Sequence, residues 1–195
     1  MSKGRLDGVR IGCVMTGSFC TFKEVFASWL RLREEGAELQ PIMSFNACQT
    51  DTRFYAAEQS VLIFEEICGR KLWNTIAQVE PIGPKKLLDL LIVAPCTGNS
   101  LAKIAAGITD TPATLAVKSH LRNGRPVLIA VSTNDGLGQS AKNIGSLLPM
   151  KHVFFVPFRQ DDCFNKPNSL VADFNMLPDA AIEALSERQI QPVLW

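Results

Sequence analysis

Four short runs of small polar residues hold the chemistry this sequence can offer: Gly17-Ser18-Phe19, Ser44-Phe45-Asn46, Thr97-Gly98-Asn99-Ser100 and Ser132-Thr133-Asn134. The third run is the most informative. Leu90 to Ala94 before it is a short apolar stretch rich in branched side chains, which reads as a buried strand. Pro95 lacks a backbone donor and is expected to end that strand. Leu101, Ile104, Ala105 and Ile108 follow at the spacing of a helix packed by one face. The unit is therefore strand, small polar loop, helix start. Such a loop offers N–H groups and hydroxyls to an anion or a planar ring, because the first turn of a helix has no internal partners for its donors. The ordinary alternative is a βα loop closed by a helix cap.

All four runs carry little charge. A metal or nucleotide triphosphate site would call for carboxylates or lysines, so the neutral rim suits a flat heterocycle with a single phosphate, a mononucleotide such as FMN. Neither Gly-x-Gly-x-x-Gly nor Gly-x-x-x-x-Gly-Lys occurs, which excludes the Rossmann dinucleotide fingerprint and the Walker loop. The Gly17-Ser18 turn at a helix start has room for one phosphate monoester.

The elements that must position these runs alternate along the chain. Val9 to Met15 reads as a strand, and Thr21 with Glu24 has capping-box spacing. Phe22, Val25, Phe26, Trp29 and Leu30 form one apolar stripe that ends near Gly36. Leu39 to Met43 is a second strand, and Phe54, Ala57, Val61, Phe64 and Cys68 have helical spacing. Residues 69–86 carry no clear period, with Pro81-Ile82-Gly83-Pro84 marking a loop. Thr111 and Pro112 suit the first positions of a helix running to about His120. Val127 to Val131 is a strand, 139–147 a helix, Val153 to Val156 a strand, and Pro178 to about Arg188 a final helix. This alternation predicts an α/β fold, a mostly parallel sheet covered by helices on both faces. Ligands of such sheets bind beyond the carboxyl ends of the strands, where the four polar runs fall.

Composition narrows the function. The 195 residues are 47% hydrophobic, enough for one domain over residues 1–195 with a sizeable core. A net charge of +1 lacks the basic footprint of a nucleic-acid binder. No apolar run approaches the ~20 residues of a membrane span, and Met-Ser-Lys-Gly-Arg-Leu-Asp-Gly contains no apolar signal core. The six cysteines are dispersed without Cys-x-x-Cys and there are two histidines, which fits reduced thiols in a cytoplasmic protein and no metal site.

Thr16-Gly17-Ser18 together with Ala94-Pro95-Cys96-Thr97-Gly98-Asn99-Ser100-Leu101-Ala102-Lys103-Ile104-Ala105-x-Gly107-Ile108-x-Asp110 resembles the flavoprotein family of FMN-binding cysteine decarboxylases. Phosphopantothenoylcysteine decarboxylase, lantibiotic-processing decarboxylases and, more distantly, prenyl-FMN synthases belong to it. The resemblance covers roughly residues 8–160, with Ala130-Val131-Ser132-Thr133-Asn134 where those decarboxylases carry Pro-Ala-Met-Asn. It implies a three-layer Rossmann-like or flavodoxin-like doubly wound sheet, a trimer or dodecamer, and FMN near an interface between protomers. By position it implies cofactor contacts from Gly17, Ser18, Phe19, Ser44, Asn46, Thr97, Gly98, Asn99, Ser100, Ser132 and Asn134.

Departures from the family pattern redirect the chemistry. The catalytic His expected before the Ala-Pro strand is absent from Pro81-Ile82-Gly83-Pro84-Lys85-Lys86, and Thr133 replaces the Met. His120 and His152 fall elsewhere and read as surface or helix-end residues. Cys163 sits about where the family has a late catalytic cysteine, but Asp161, Asp162 and Phe164 surround it instead of Ala-Cys-Gly, and acidic neighbours disfavour a thiolate. No catalytic residue is assigned.

The segments Met-Thr-Gly-Ser-Phe-Cys-Thr-Phe and Asn-Asp-Gly-Leu-Gly are similar to a spore-associated branch of the family, one component of a two-part oxidoreductase. That resemblance implies oxidation of dihydrodipicolinate to pyridine-2,6-dicarboxylate, with NADP on the partner component, a separate A subunit. Asn46, Arg53, Lys103 and Arg159 are candidates to hold the substrate carboxylates, the last three by charge alone. The competing expectations are an FMN-dependent decarboxylase with relocated catalytic groups and a non-catalytic scaffold component.

Overall fold

The computed structural model describes residues 4–195; Met1 to Lys3 of the N-terminal stretch lie outside the described residues. Three central strands, β1 (Arg10–Met15), β2 (Glu38–Met43) and β3 (Leu90–Cys96), run parallel in the order β2-β1-β3. β4 (Val127–Thr133) adds to β3 in parallel. The free edge of β4 is shared. Its first half pairs in parallel with β5 (Val153–Phe155) and its last two residues pair antiparallel with β7 (Leu170–Ala172), which carries β6 (Phe158–Arg159) beyond it. The expected α/β sheet is thus present, with a short antiparallel flap at the ends of strands that the sequence reading omitted.

Direction reverses between β1 and β3: the chain winds from β1 out to β2, then returns to β3 and winds the other way to β4. Right-handed crossovers then place helices on opposite faces. α1 (Phe22–Glu34) packs with α3 (Ala57–Cys68) and α8 (Leu177–Leu185); α6 (Pro112–Leu121) packs with α4 (Ile76–Val79) and α5 (Gly98–Ala105), and α5 with α7 (Ala141–Leu147). A five-residue helix, α2 (Phe45–Gln49), follows β2. Strands β3 and β4 are buried on both faces, as the unbroken apolar runs require.

Several expectations need correction. Pro95 does not end β3: the strand continues to Cys96 through a register irregularity between Val93 and Cys96, and the Pro95 carbonyl stays in use as an acceptor for Thr16. Leu32, not Leu30, completes the buried stripe of α1, because a residue three positions after Trp29 returns to its face while Leu30 points outward. Thr21 makes no side-chain cap; its hydroxyl instead donates to the Ser18 carbonyl, since a short 3₁₀ turn (Phe19–Thr21) precedes α1. Phe54 lies outside α3 and is exposed. Helix α5 stops at Ala105, so Ile108 leaves the expected stripe and is exposed. The Gly36 reading holds: it follows α1 at φ 94°, where a side chain is strained. So does the Thr111-Pro112 start of α6, a capping box closed with Thr114.

Candidate functional site

The switch in winding direction leaves a crevice beyond the carboxyl ends of β1 and β3, and the first and third polar runs emerge there. Thr16, fully buried, pins the two together. Its hydroxyl donates to the Pro95 carbonyl at 2.8 Å and accepts from the Thr97 N–H at 2.9 Å. Thr97 is the N-cap of α5: its Oγ1 accepts from the Ser100 N–H at 3.3 Å and lies 3.1 Å from the Ser100 hydroxyl. The N–H groups of Gly98 and Asn99 therefore start α5 without an intrahelical acceptor.

The other two runs close on this pair. Ser18 and Ser132 share a hydrogen bond of 2.7 Å between their hydroxyls, joining the β1 loop to the end of β4. Ser44 caps α2 by accepting from the Ala47 N–H at 3.4 Å, which sets Asn46 on the rim. Phe19 rests on the core aromatic Phe22, ring centroids 5.2 Å apart, so its ring is held from behind.

Two adjoining cavities result. The first, about 430 Å³, is lined by Gly17, Ser18, Phe19, Thr97, Gly98, Ser132 and Asn134 among the expected residues. The second, about 550 Å³, is lined by Gly17, Phe19, Ser44, Asn46, Thr97, Asn99 and Ser100. Gly17, Phe19 and Thr97 line both, and every one of the eleven residues lines at least one. Gly98 has no freedom to grow: a Cβ there would stand 2.6 Å from the Thr133 hydroxyl and 2.8 Å from that of Ser140. At Gly17 the nearest atoms are at 3.5 Å, ordinary contact.

The sequence reading missed one wall. Asp161, Lys166 and Ser169 from the segment joining β6 to β7, and Leu170 and Val171 from β7 itself, line the first cavity, along with Cys20, Thr21, Phe54 and Thr133. That segment has no helical or strand period; Pro167 and Asn168 signal a turn but not where it folds.

The charges of the site are almost all paired. Lys103 Nζ sits 2.8 and 2.9 Å from the two oxygens of Asp110 on the second cavity, and this hydrogen bond holds the Asp110 carboxyl below its usual range. Lys166 reaches Asp161 at 2.7 Å on the first. Of the four residues considered for carboxylate binding, Arg53 and Lys103 line the cavities and so does Asn46. Arg159 does not; its guanidinium stacks on the Trp195 ring at 5.3 Å.

The cysteines and histidines stand apart from the cavities, Cys20 excepted. Cys163 is exposed and lines neither. Cys96, buried at the end of β3, has its thiol pushed up to about 12 by burial, so it is held protonated. His152 pairs with Glu187 at 2.8 Å away from the site. His120 is a helix-end residue, as one of the two expectations had it, but it is buried in the last turn of α6 rather than on the surface. Its Nε2 lacks a hydrogen-bond partner among the described residues, and burial reinforced by the Arg125 charge pulls it down to about 4. All six cysteines are free thiols.

The chain is similar to known proteins over nearly its whole length. Residues 1–177 match the model of a family described as Flavoprotein. The dipicolinate synthase B subunit of Bacillus subtilis (strain 168) is 44% identical over 189 residues, 97% of this chain and 94% of that protein. The crystal structure of the dipicolinate synthase B subunit from Bacillus halodurans superposes with a TM-score of 0.90 at 40% identity, covering 97% of both chains. At 21% identity, Burkholderia xenovorans DmrB in complex with FMN, described as a cubic protein cage for redox transfer, shares the fold with a TM-score of 0.64 over 91% of this chain and 96% of that one.

Proposed function

The chain belongs to the Flavoprotein family, and from that membership we propose that it is the flavin-binding component of a two-part dipicolinate synthase. Its partner is an A subunit that carries NADP. Together they oxidise dihydrodipicolinate to pyridine-2,6-dicarboxylate during sporulation, in the cytoplasm. The observation that carries this reading is the convergence of eleven residues from four separate loops on two adjoining cavities beside the β1/β3 reversal.

The donor set fits FMN. Cavities of about 430 and 550 Å³ fall in the range of small-molecule sites, roughly 300–1,000 Å³. In the second cavity Ser44, Ser100, Asn46 and Asn99 would hold the phosphate, with the free N–H of Asn99 and the positive end of α5 favouring an anion. Phe19 at the boundary and Leu170 and Val171 on the far wall offer the first cavity apolar surface for a flat ring. Ser18 and Ser132, each satisfied by the other, keep two hydroxyls fixed at its edge. When bound, FMN supplies an acceptor for the hydride removed as a dihydropyridine becomes aromatic. The protein's own share is to hold that ring, position the substrate beside it and exclude water. No histidine lines either cavity, which weighs against cysteine decarboxylation.

A homo-oligomer, trimer or dodecamer, accompanies this function. Ile104, Ile108, Val117, Leu121 and Met150 line an apolar groove on the α5–α6 side, with Ile108 and Met150 well exposed. No helix among the described residues is long and apolar enough to cross a membrane.

Reconstitution tests the proposal. The chain with its A subunit, NADP and FMN should form pyridine-2,6-dicarboxylate from dihydrodipicolinate, and omitting either protein or FMN should abolish the reaction. Full activity of the A subunit alone would overturn it.

A further inference from the structure

We propose that Arg53 is the carboxylate-binding residue of the first cavity and makes that cavity selective for a small planar dicarboxylate. The inference rests on the functional reading above and assigns the substrate end of the site. Three cations line the two cavities: Arg53, Lys103 and Lys166. Lys103 is neutralised by Asp110 and Lys166 by Asp161. Among the described residues Arg53 alone of the three has no carboxylate partner. It is the one uncompensated charge of the site, and it is positive.

Arg53 is an exposed residue that lines the first cavity. Arg53 stands in the loop between α2 and α3, and its guanidinium lies 4.8 Å from the centroid of the adjacent Phe54 ring. That stacking restrains the planar fork while leaving its N–H donors in the plane free. A guanidinium so held suits the two oxygens of a carboxylate, with both bonds made at once. Phe54, beside Arg53, adds apolar surface to the same cavity for the ring that bears the carboxylate, and Ser169 adds a hydroxyl. The phosphate of a mononucleotide has its own donors in the second cavity, which Arg53 does not line. Arg53 is therefore assigned to the substrate.

The test is calorimetric titration of the full chain, with and without FMN, using pyridine-2,6-dicarboxylate and its uncharged diamide as probes. Arg53→Ala should weaken dicarboxylate binding by about tenfold to a hundredfold, the loss expected for a charge-assisted hydrogen-bonded pair. Diamide binding and FMN affinity should stay unchanged, and Arg53→Lys should recover part of the loss because it restores charge without the fork. An unchanged dicarboxylate affinity in Arg53→Ala, or no dicarboxylate binding to the parent protein at millimolar concentration, would overturn the assignment while leaving FMN binding intact. A loss of FMN affinity without loss of dicarboxylate binding would move Arg53 to the cofactor and also overturn it. The titration without FMN reads Arg53 even if the flavin does not bind.

Discussion

At the scale of single residues, Gly98 and His120 each make a stability prediction that can be read without the site's ligand. Gly98 is pressed against the Thr133 and Ser140 hydroxyls, so Gly98→Ala must push the start of α5 away from the end of β4. It should cost about 1–3 kcal/mol in denaturant unfolding and weaken FMN binding, whereas Gly17→Ala, with only ordinary contacts, should leave stability nearly unchanged. Equal stability of the two variants would contradict this. His120 gives a pH signature. Its folded value of about 4 lies below the ordinary 6.5, so between those pH values the unfolded chain binds a proton that the native one refuses. Stability then rises with pH across that window, and lowering pH from 7 to 5 should remove about 2 kcal/mol through this group. Urea midpoints at both pH values should show a fall in the parent protein that is much reduced in His120→Leu. The same fall in both would contradict the assignment. Nothing in the sequence around His120 announced its burial: α6 is weakly patterned because apolar and small residues surround it on nearly every side.

At the scale of elements, the two ends of the β1–β3 pair do different work. At the carboxyl ends, Thr16 and Thr97 lock the site loops to each other. At the opposite end, Asp89 accepts from the Arg10 side chain at 2.6 and 2.9 Å and from its N–H at 3.1 Å, and also meets Arg125 at 3.1 Å. Those bonds from Arg10 hold the Asp89 carboxyl below its usual range. Its contribution is present above the unfolded value near 4 and is lost as pH falls through the lower folded value, a window more acidic than that of His120. Asp89→Ala should destabilise by about 1–2 kcal/mol and leave FMN affinity alone; a parallel loss of FMN binding would show that the two ends are coupled. The strands and helices that set this geometry were legible because their apolar periods are strong: Leu90 to Ala94, Val127 to Val131 and the Phe22–Trp29 stripe. Where a buried proline sat inside a strand, as at Pro95, local propensity misled, because tertiary contacts carried the strand past it. The β6–β7 flap was invisible for the opposite reason: its strands have two and three residues, too short for any period.

At the scale of the whole molecule, the winding reversal is what turns four ordinary βα loops into one site. Each loop alone reads as a cap or turn, and Thr97 and Ser44 do serve as caps. Only the sheet order brings Ser18 to Ser132 and Thr16 to Thr97. The loops could be named from the sequence because hydroxyl and amide residues recur after each apolar run. Their division into two cavities, and the wall supplied by residues 161–171, could not, since both depend on how distant segments fold back. The central claim is that this composite site binds FMN, and equilibrium titration of the purified chain followed by flavin fluorescence tests it most directly. Saturable quenching that Asn99→Ala and Ser18→Ala both weaken is the predicted result. No binding up to about millimolar FMN, weaker than roughly −4 kcal/mol, would contradict it.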